Sequence, residues 1–257
     1  MSSGQKVRLI LLVGHITFAI WAVNYFEWRV IWLGLVSYVI IGKIGADIGM
    51  HRYFGHDCFI AKPWARKLFL FLSIPVGFGS PINWAIGHRI HHQKSDTKDD
   101  LHSPLQLGIF KVYFLLFYSN WESTTTKIDS RFIKAQMRDK EKLFIHKHYF
   151  SLYAAWLGLI ILFSLLVDSQ AIIYMWAIPI VVMYHVQATV NVVCHKWGYR
   201  TYETPDNSRN NIWLNLFVMG TAMHNNHHAK PWLLSVAGDK WYEFDLWGWI
   251  AKKWMAQ

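Results

Sequence analysis

The chain has 257 residues, of which 53% are hydrophobic, and its formal net charge is +10. Only 16% of the residues are charged, whereas soluble domains have about 25%. This composition excludes disordered, collagen-like and coiled-coil chains, and the 15 tryptophans favour an integral membrane protein, because Trp concentrates at bilayer interfaces. The cysteines, Cys58 and Cys194, are too few for a disulfide framework.

Four apolar segments are predicted to cross a membrane as α-helices, because spanning takes about 20 residues. They lie at residues 8–26, 28–50, 150–167 and 171–194. A further apolar run at 68–78 is too short to span and is broken by Gly and Pro, which predicts an interfacial or re-entrant piece. We therefore expect a single all-α integral membrane domain over residues 1–257.

The distribution of Lys and Arg predicts the orientation of these segments. Of the 26 basic residues, Arg29 alone lies at the first link, Lys43 lies inside the second segment, and the link at 168–170 has none. By the positive-inside rule, the N-terminus and residues 51–149 and 195–257 are predicted to be cytoplasmic. The basic excess then faces anionic lipid headgroups, so no nucleic-acid partner is expected. The first segment is interpreted as a retained anchor and not a cleaved signal peptide.

Nine of the 14 histidines fall in four places on the predicted cytoplasmic side. They are His51 and His56, then His88, His91 and His92, then His195, and finally His224, His227 and His228. At about 100° per residue, the three histidines of each H-x-x-H-H cluster share one helix face. The first pair is five residues apart, or about 140° around an ideal helix. The pair converges only if the helix ends or kinks, and Gly55 is the natural place for that.

Histidine clusters on one side of a membrane predict a metal site, because imidazole suits iron, copper, zinc and nickel. Nine histidines are too many for one ion, so two metals are expected. A non-enzymatic metal transporter is the alternative from another functional class. It would need metal-binding groups across the bilayer, whereas these clusters lie on one side.

The ordered boxes H-x-x-x-x-H, H-x-x-H-H and H-x-x-H-H resemble those of the membrane fatty acid desaturases. The similarity is closest to the Δ9 acyl desaturases, which include stearoyl-CoA enzymes and bacterial acyl-lipid enzymes. Further matches are His51-Arg52-Tyr53-Phe54, Ser95-Asp96-Thr97 and Asn225-Asn226-His227-His228-Ala229-Lys230-Pro231. The pattern Asn191-x-x-x-His195-x-x-Gly198 also looks like the family's extra ligand site. The resemblance covers about residues 30–250.

This resemblance implies an O2-dependent enzyme that inserts a double bond into a saturated fatty acyl chain. It implies two iron ions held by the nine histidines, with Asn191 contributing through a bound water. It also implies an external electron donor such as ferredoxin or a cytochrome, since the chain carries no flavin, haem or iron–sulfur pattern. The expected location is a bacterial-type inner membrane or a thylakoid membrane.

Two departures from the family pattern bear on the reaction and the substrate. The family commonly has Gly-Glu-Gly-aromatic before the third box, whereas this chain has Thr221 at the position of the Glu. This leaves a lipid or carotenoid hydroxylase with the same di-iron site as the alternative function. Acyl-CoA members often carry Arg where this chain has Ile86, which favours an acyl-lipid or acyl-carrier substrate over acyl-CoA, because Arg binds phosphate with paired hydrogen bonds.

Three further polar positions remain open from the sequence. His102, which follows a run of aspartates, either supports the metal ligands or lies in a solvated loop. Lys43 and Asp47, one helical turn apart, either neutralise each other or touch a polar group of the substrate. His185 either lines the substrate path or is a hydrogen-bonded buried histidine.

Overall fold

The computed structural model describes residues 1–100, 102–114 and 130–257 of the chain. The regular secondary structure of this part is helical, and its β structure amounts to three isolated β-bridges, which confirms the predicted all-α fold for these residues. Its helices are α1 (Ser3–Asn24), α2 (Trp28–Gly55), α3 (Pro63–Leu72), α4 (Pro81–Lys94), α5 (Pro104–Leu107), α6 (Ile109–Tyr113), α7 (Ser130–Arg138), α8 (Lys140–Leu166), α9 (Ile173–Val193), α10 (Ile212–Val218), α11 (His224–Ala229) and α12 (Leu246–Ile250). A π-helical turn, Ala251–Met255, continues α12.

Four of these helices, α1, α2, α8 and α9, are long and apolar enough to cross a membrane. The predicted number of spans is therefore confirmed for the residues described. The outer face of α8 carries Leu159, Leu165 and Leu166, which are 67%, 77% and 75% exposed. Apolar side chains exposed along a span of this length are expected where a helix faces lipid.

The third span is longer than the apolar pattern predicts. The predicted segment begins at residue 150, whereas α8 begins at Lys140. Asp139 caps the helix, because its side chain accepts a hydrogen bond from the backbone N–H of Lys142. The first turns of α8 are rich in polar residues, so hydrophobicity alone places the beginning of this helix too late.

The predicted interfacial piece at 68–78 is the end of α3 together with the turn that leads to α4. Gly77 and Gly79 have φ values of +78° and +94°, a region that favours glycine, and they reverse the chain there. Ser80 then caps α4 through a hydrogen bond from the Asn83 N–H. The reversal carries the second histidine box, on α4, back against α2.

The main core lies between α2, α3, α8 and α9. Its fully buried side chains include Met50, Phe69, Tyr149, Ile180 and Tyr184. The C-terminal half of α2, which carries His51 and ends next to His56, is packed against this core and thereby fixed relative to the other elements.

Candidate metal centre

The structure brings all nine predicted histidines into one region, where they form two groups. Cluster A consists of His51, His56, His88 and His227, and cluster B consists of His91, His195, His224 and His228. Within each cluster the candidate ligand atoms lie within 4.8 Å of one another. His92 lies beside cluster A, with its Nε2 at 3.2 Å from Nε2 of His88 and 2.9 Å from Nε2 of His227.

The first histidine pair converges because the second half of α2 is a π-helix over Val39–Gly55. The N–H of His56 donates to the carbonyl of His51 at 3.1 Å, five residues back, and the two ring centroids are 5.0 Å apart. The helix ends at Gly55, as the sequence suggests, but the wider helical turn was not expected. Gly55 also lets Trp84 approach, since a Cβ would lie 2.9 Å from its ring.

The second and third boxes are positioned by different local structures. On α4, the ring of Trp84 stacks on His88 with centroids 4.6 Å apart. The third box lies on α11, a helix of six residues. The Asn210 side chain accepts hydrogen bonds from the backbone N–H groups of Asn225 and Asn226 at 3.0 and 3.2 Å, which holds the start of that helix. His195 lies two residues after the end of α9.

Several of the histidines are hydrogen-bonded through Nδ1 to carboxylates. The short pairs are His91–Asp100 (3.1 Å), His195–Asp96 (3.0 Å) and His228–Asp206 (2.7 Å), each from Nδ1 to a carboxylate oxygen. A looser pair joins His51 and Asp47 at 3.6 Å. A carboxylate accepts from Nδ1–H, so it leaves Nε2 of the same ring free to bind a metal.

Sequence reasoning missed Asp206 and left His102 open. Asp206 lies in a Pro-Asp-Asn-Ser turn, where aspartate is common for local reasons, so the sequence holds no signal of its contact with His228. The ring of His102 lies 4.5 Å from that of His91, and both rings hydrogen-bond to the same oxygen of Asp100. His102 therefore supports a candidate ligand through a shared carboxylate.

The structure also gives the contacts of the other positions that the sequence left open, which are Lys43, Asp47 and His185. Asp47 lies beside His51 and accepts a hydrogen bond from Arg52, while Lys43, 4.0 Å from Asp47, donates to the carbonyl of Val218. His185 hydrogen-bonds through Nδ1 to the hydroxyl of Tyr113 at 2.8 Å.

Burial lowers the pKa of seven histidines of the site and so favours their neutral form, which is the form that binds metal: His56, His88, His91, His92, His224, His227 and His228. Desolvation, assisted by the neighbouring His102, lowers the pKa of His91 to about 3 despite its bond to Asp100. Desolvation likewise lowers the pKa of His56 to about 2. Burial alone would raise the pKa of Asp206, but hydrogen bonds from His228 and Ser208 outweigh it and hold the carboxyl well below its usual range.

The buried ring nitrogens are arranged to bind a metal, because some of them have no hydrogen-bond partner among the described residues. Nε2 of His91 and Nε2 of His195 are buried and have no hydrogen-bond partner within the part of the chain described. Buried ring nitrogens without partners are costly, and they call for an explanation such as an ion. Imidazole donors backed by carboxylates are typical of iron, copper and zinc sites, and the residues therefore fit the two iron ions that the boxes predict.

An apolar cavity of about 360 Å³ reaches this centre between α1, α4, α6 and α9. Val7, Trp84, Ile86 and Tyr184 are among its walls, and His88 of cluster A lines it as well. Asn191 also lines the cavity, and its Oδ1 accepts a hydrogen bond from Gln187 at 3.3 Å. Its role as a ligand through water stays a prediction.

Gly198 gives a first test of how the third box is supported. Its φ is +132°, and a Cβ there would overlap the carbonyl oxygen of Asn210, the residue whose side chain holds α11. Gly198→Ala is therefore expected to destabilise the protein by about 1–3 kcal/mol, because it forces a strained backbone, and to lower bound metal. Thermal denaturation and metal analysis measure both effects.

Gly158→Ala is the matched control, since a Cβ on this α8 residue meets nothing within 4 Å. It should leave metal content unchanged and alter stability by no more than about 1 kcal/mol. Equal behaviour of the two variants would show that the approach of Gly198 to Asn210 is unimportant.

Comparison with known proteins agrees with this geometry. The fatty acid desaturase family matches residues 10–253. The chain is 30% identical to the chloroplastic palmitoyl-monogalactosyldiacylglycerol delta-7 desaturase of Arabidopsis thaliana, over 88% of this chain and 60% of that protein's length. It is 32% identical to the sn-1 stearoyl-lipid 9-desaturase of Anabaena variabilis, over 86% of this chain and 79% of that one.

A further relative is an acyl-CoA 5-desaturase of Anemone leveillei, 29% identical over 98% of this chain and 77% of that protein. The relatives thus include enzymes named for acyl-lipid and for acyl-CoA substrates. The family match covers nearly the whole chain, and the histidine boxes that suggested the resemblance converge in space. The chain belongs to the fatty acid desaturase family.

Proposed function

We propose that this fatty acyl desaturase removes two hydrogens from neighbouring methylenes of an acyl chain carried by a membrane lipid or a carrier protein. The observation that carries the proposal is the apolar cavity that His88 lines, beside two histidine clusters with convergent ring nitrogens. Two irons held by clusters A and B, with His92 beside cluster A, would supply the oxidising power that no side chain has.

The side chains of the protein position both the metal ligands and the acyl chain. Asp96, Asp100 and Asp206 fix the ring orientation and tautomer of their histidines. Trp84 and Ile86 form part of an apolar wall that aligns a hydrocarbon chain with the centre and excludes water. Asn191, one helical turn before His195, faces the same cavity and is proposed to contribute through water.

The electron balance requires a partner. Breaking two C–H bonds yields two electrons, and reducing O2 to two waters takes four, so the other two come from an external reductant. A ferredoxin or a cytochrome is the proposed donor. The excess of Lys and Arg in the loops favours a cytoplasmic location for the termini and the centre, and the proposed membrane is a bacterial-type inner membrane or a thylakoid membrane. Reporter fusions at the C-terminus test that orientation.

The acyl carrier is proposed to be a lipid or a carrier protein in preference to CoA. Ile86 lies on the wall of the cavity and supplies no charge for the phosphates of CoA, so the cation among the described lining residues is Arg8, near the N-terminus. In the test, the solubilised enzyme is supplied with a reducing partner, with O2 and with matched acyl-CoA, acyl-carrier and phospholipid substrates. Saturable conversion of acyl-CoA alone would overturn this preference.

The reaction itself is tested by expression in a host of known lipid composition. Fatty-acid analysis with double-bond mapping should show a new unsaturated acyl chain that depends on the expressed protein. A hydroxylated chain as the main product would instead support the hydroxylase alternative, which Thr221 motivates.

Filling the cavity should stop the reaction without removing the metal. Ile86→Trp places a larger side chain in the cavity but changes no candidate ligand, so product should fall to the detection limit while iron content stays at the wild-type level. Ile60→Trp is the control, because Ile60 is 74% exposed and lies outside the cavity. Normal turnover by Ile86→Trp would show that the acyl chain binds elsewhere.

A further inference from the structure

The two clusters differ in the charge around them. Three of the four rings of cluster B donate to buried or half-buried carboxylates. These pairs are His91–Asp100, His195–Asp96 and His228–Asp206, at 3.1, 3.0 and 2.7 Å. Within the described part of the chain, none of the three carboxylates has a Lys or Arg nitrogen within 4.0 Å. Cluster B is therefore surrounded by three negative charges that no Lys or Arg of the described residues balances within 4.0 Å.

Cluster A has a different environment. Among the described residues, Asp47 is the one carboxylate within 4.0 Å of its ring nitrogens, at 3.6 Å from His51. Asp47 is itself bound by Arg52 at 3.0 Å and lies 4.0 Å from Lys43. Arg52 also donates to both oxygens of Asp245, at 2.6 and 3.1 Å. Two carboxylates thus face two cations, and the charge beside cluster A is balanced.

The two clusters also differ in burial, and cluster B is the more buried one. His91, His195 and His224 of cluster B are buried, whereas His51 and His56 of cluster A are half-buried. Charge interactions are stronger where water is excluded, so the carboxylates of cluster B act on its ion with little screening.

We propose that the two metal positions are unequal, an inference that rests on the proposed di-iron function. Cluster B binds its ion first and retains it, while cluster A holds its ion more weakly. Unbalanced carboxylates attract a divalent cation directly, and they also make the imidazoles that donate to them more basic.

Asp245 is inferred to be a positioning residue for the weaker position. It acts through Arg52 and Asp47 on His51, in a chain of contacts between 2.6 and 3.6 Å. The same carboxylate accepts hydrogen bonds from the N–H groups of Val236 and Gly248, both at 2.9 Å. The C-terminal part of the chain thereby contributes to the electrostatic balance of cluster A.

The test follows iron content in the wild-type protein. Detergent-solubilised enzyme, loaded anaerobically with ferrous iron, is dialysed against rising concentrations of a ferrous chelator, and iron per chain is measured. We expect two steps separated by at least about tenfold in chelator concentration, which is the usual lower size of outer carboxylate effects. Mössbauer spectra of the half-depleted protein should show one iron environment.

Variants assign the steps to the clusters. Asp206→Asn keeps the size of the side chain and removes a charge at cluster B, so it should move the tighter step by about 10–100-fold. Asp245→Asn should move only the weaker step. Asp139→Asn is the control, because Asp139 pairs with Arg66, and it should leave both steps unchanged. If Asp206→Asn does not fold, Asp96→Asn takes its place.

Distinct outcomes separate this inference from the proposed function. Loss of both irons in one step would overturn the inequality, and an Asp206→Asn variant in which only the weaker step moves would overturn the assignment of the tighter step to cluster B. Both outcomes would leave the di-iron proposal intact. An Asp245→Asn variant with both steps unchanged would overturn the role of Asp245. Protein that takes up a single zinc and no iron would overturn the proposed function itself.

Discussion

Replacing His224 with alanine is expected to abolish product formation while the protein still inserts in the membrane. The ring of His224 is buried in cluster B, with its Nε2 3.1 Å from Nε2 of His228, so the change removes a donor that alanine cannot replace. Insertion depends on the apolar spans, which the change does not touch. Fatty-acid analysis of an expressing host and detection in the membrane fraction measure the two properties.

Alanine at other box positions should give the same result. The positions are His88, His92, His195 and His228. His148→Ala is the matched control, because His148 is exposed on α8 and its ring contacts Phe144 away from the centre. Near-normal turnover in several of the box variants would show that the histidine boxes are not the site.

The sequence predicted the spans well because crossing a membrane is a property of single segments. Length and apolarity suffice for α1, α2 and α9, whose observed ends lie within five residues of the predicted ends. The beginning of α8 was missed because its first turns are polar, and a capping residue, Asp139, is a weaker signal than an apolar run.

The histidines were predicted as a set but not as two groups. Spacing shows that His88, His91 and His92 share a helix face, yet His88 joins cluster A and His91 joins cluster B. This division depends on how α2, α4 and α11 pack, which is tertiary information. The π-helical turn that unites His51 and His56 likewise depends on packing around α2, since no residue type specifies it.

The carboxylates behind the ligands were the least predictable part of the site. Asp96 was noted as part of a motif, and Asp206 was not noted at all. Asp206 reaches His228 from a loop that lies 22 residues earlier in the chain, and the Asp96–His195 pair joins residues 99 apart. Contacts between distant segments leave no local pattern, so only the fold reveals them.

Arg52→Met is expected to destabilise the protein by about 3–5 kcal/mol, because it leaves buried carboxylates without their partner. Arg52 is 3% exposed and binds Asp47, Asp245 and the carbonyl of Leu234. Thermal denaturation of chelator-treated protein measures the effect. Metal is removed first because ion binding shifts apparent stability on its own.

Arg66→Met separates the effect of burial from that of losing an arginine. Arg66 also pairs with two carboxylates, those of Asp139 and Glu141, but its side chain is 27% exposed, and water can solvate the partners after the change. Arg66→Met should lower the free energy of unfolding by no more than about 1 kcal/mol per ion pair.

Combining Arg52→Met with Asp47→Asn and Asp245→Asn should recover much of the lost stability, since the charges left unpaired are then removed. Equal losses for Arg52→Met and Arg66→Met, with no recovery in the triple variant, would show that the buried charge network does not set the stability of this end of α2.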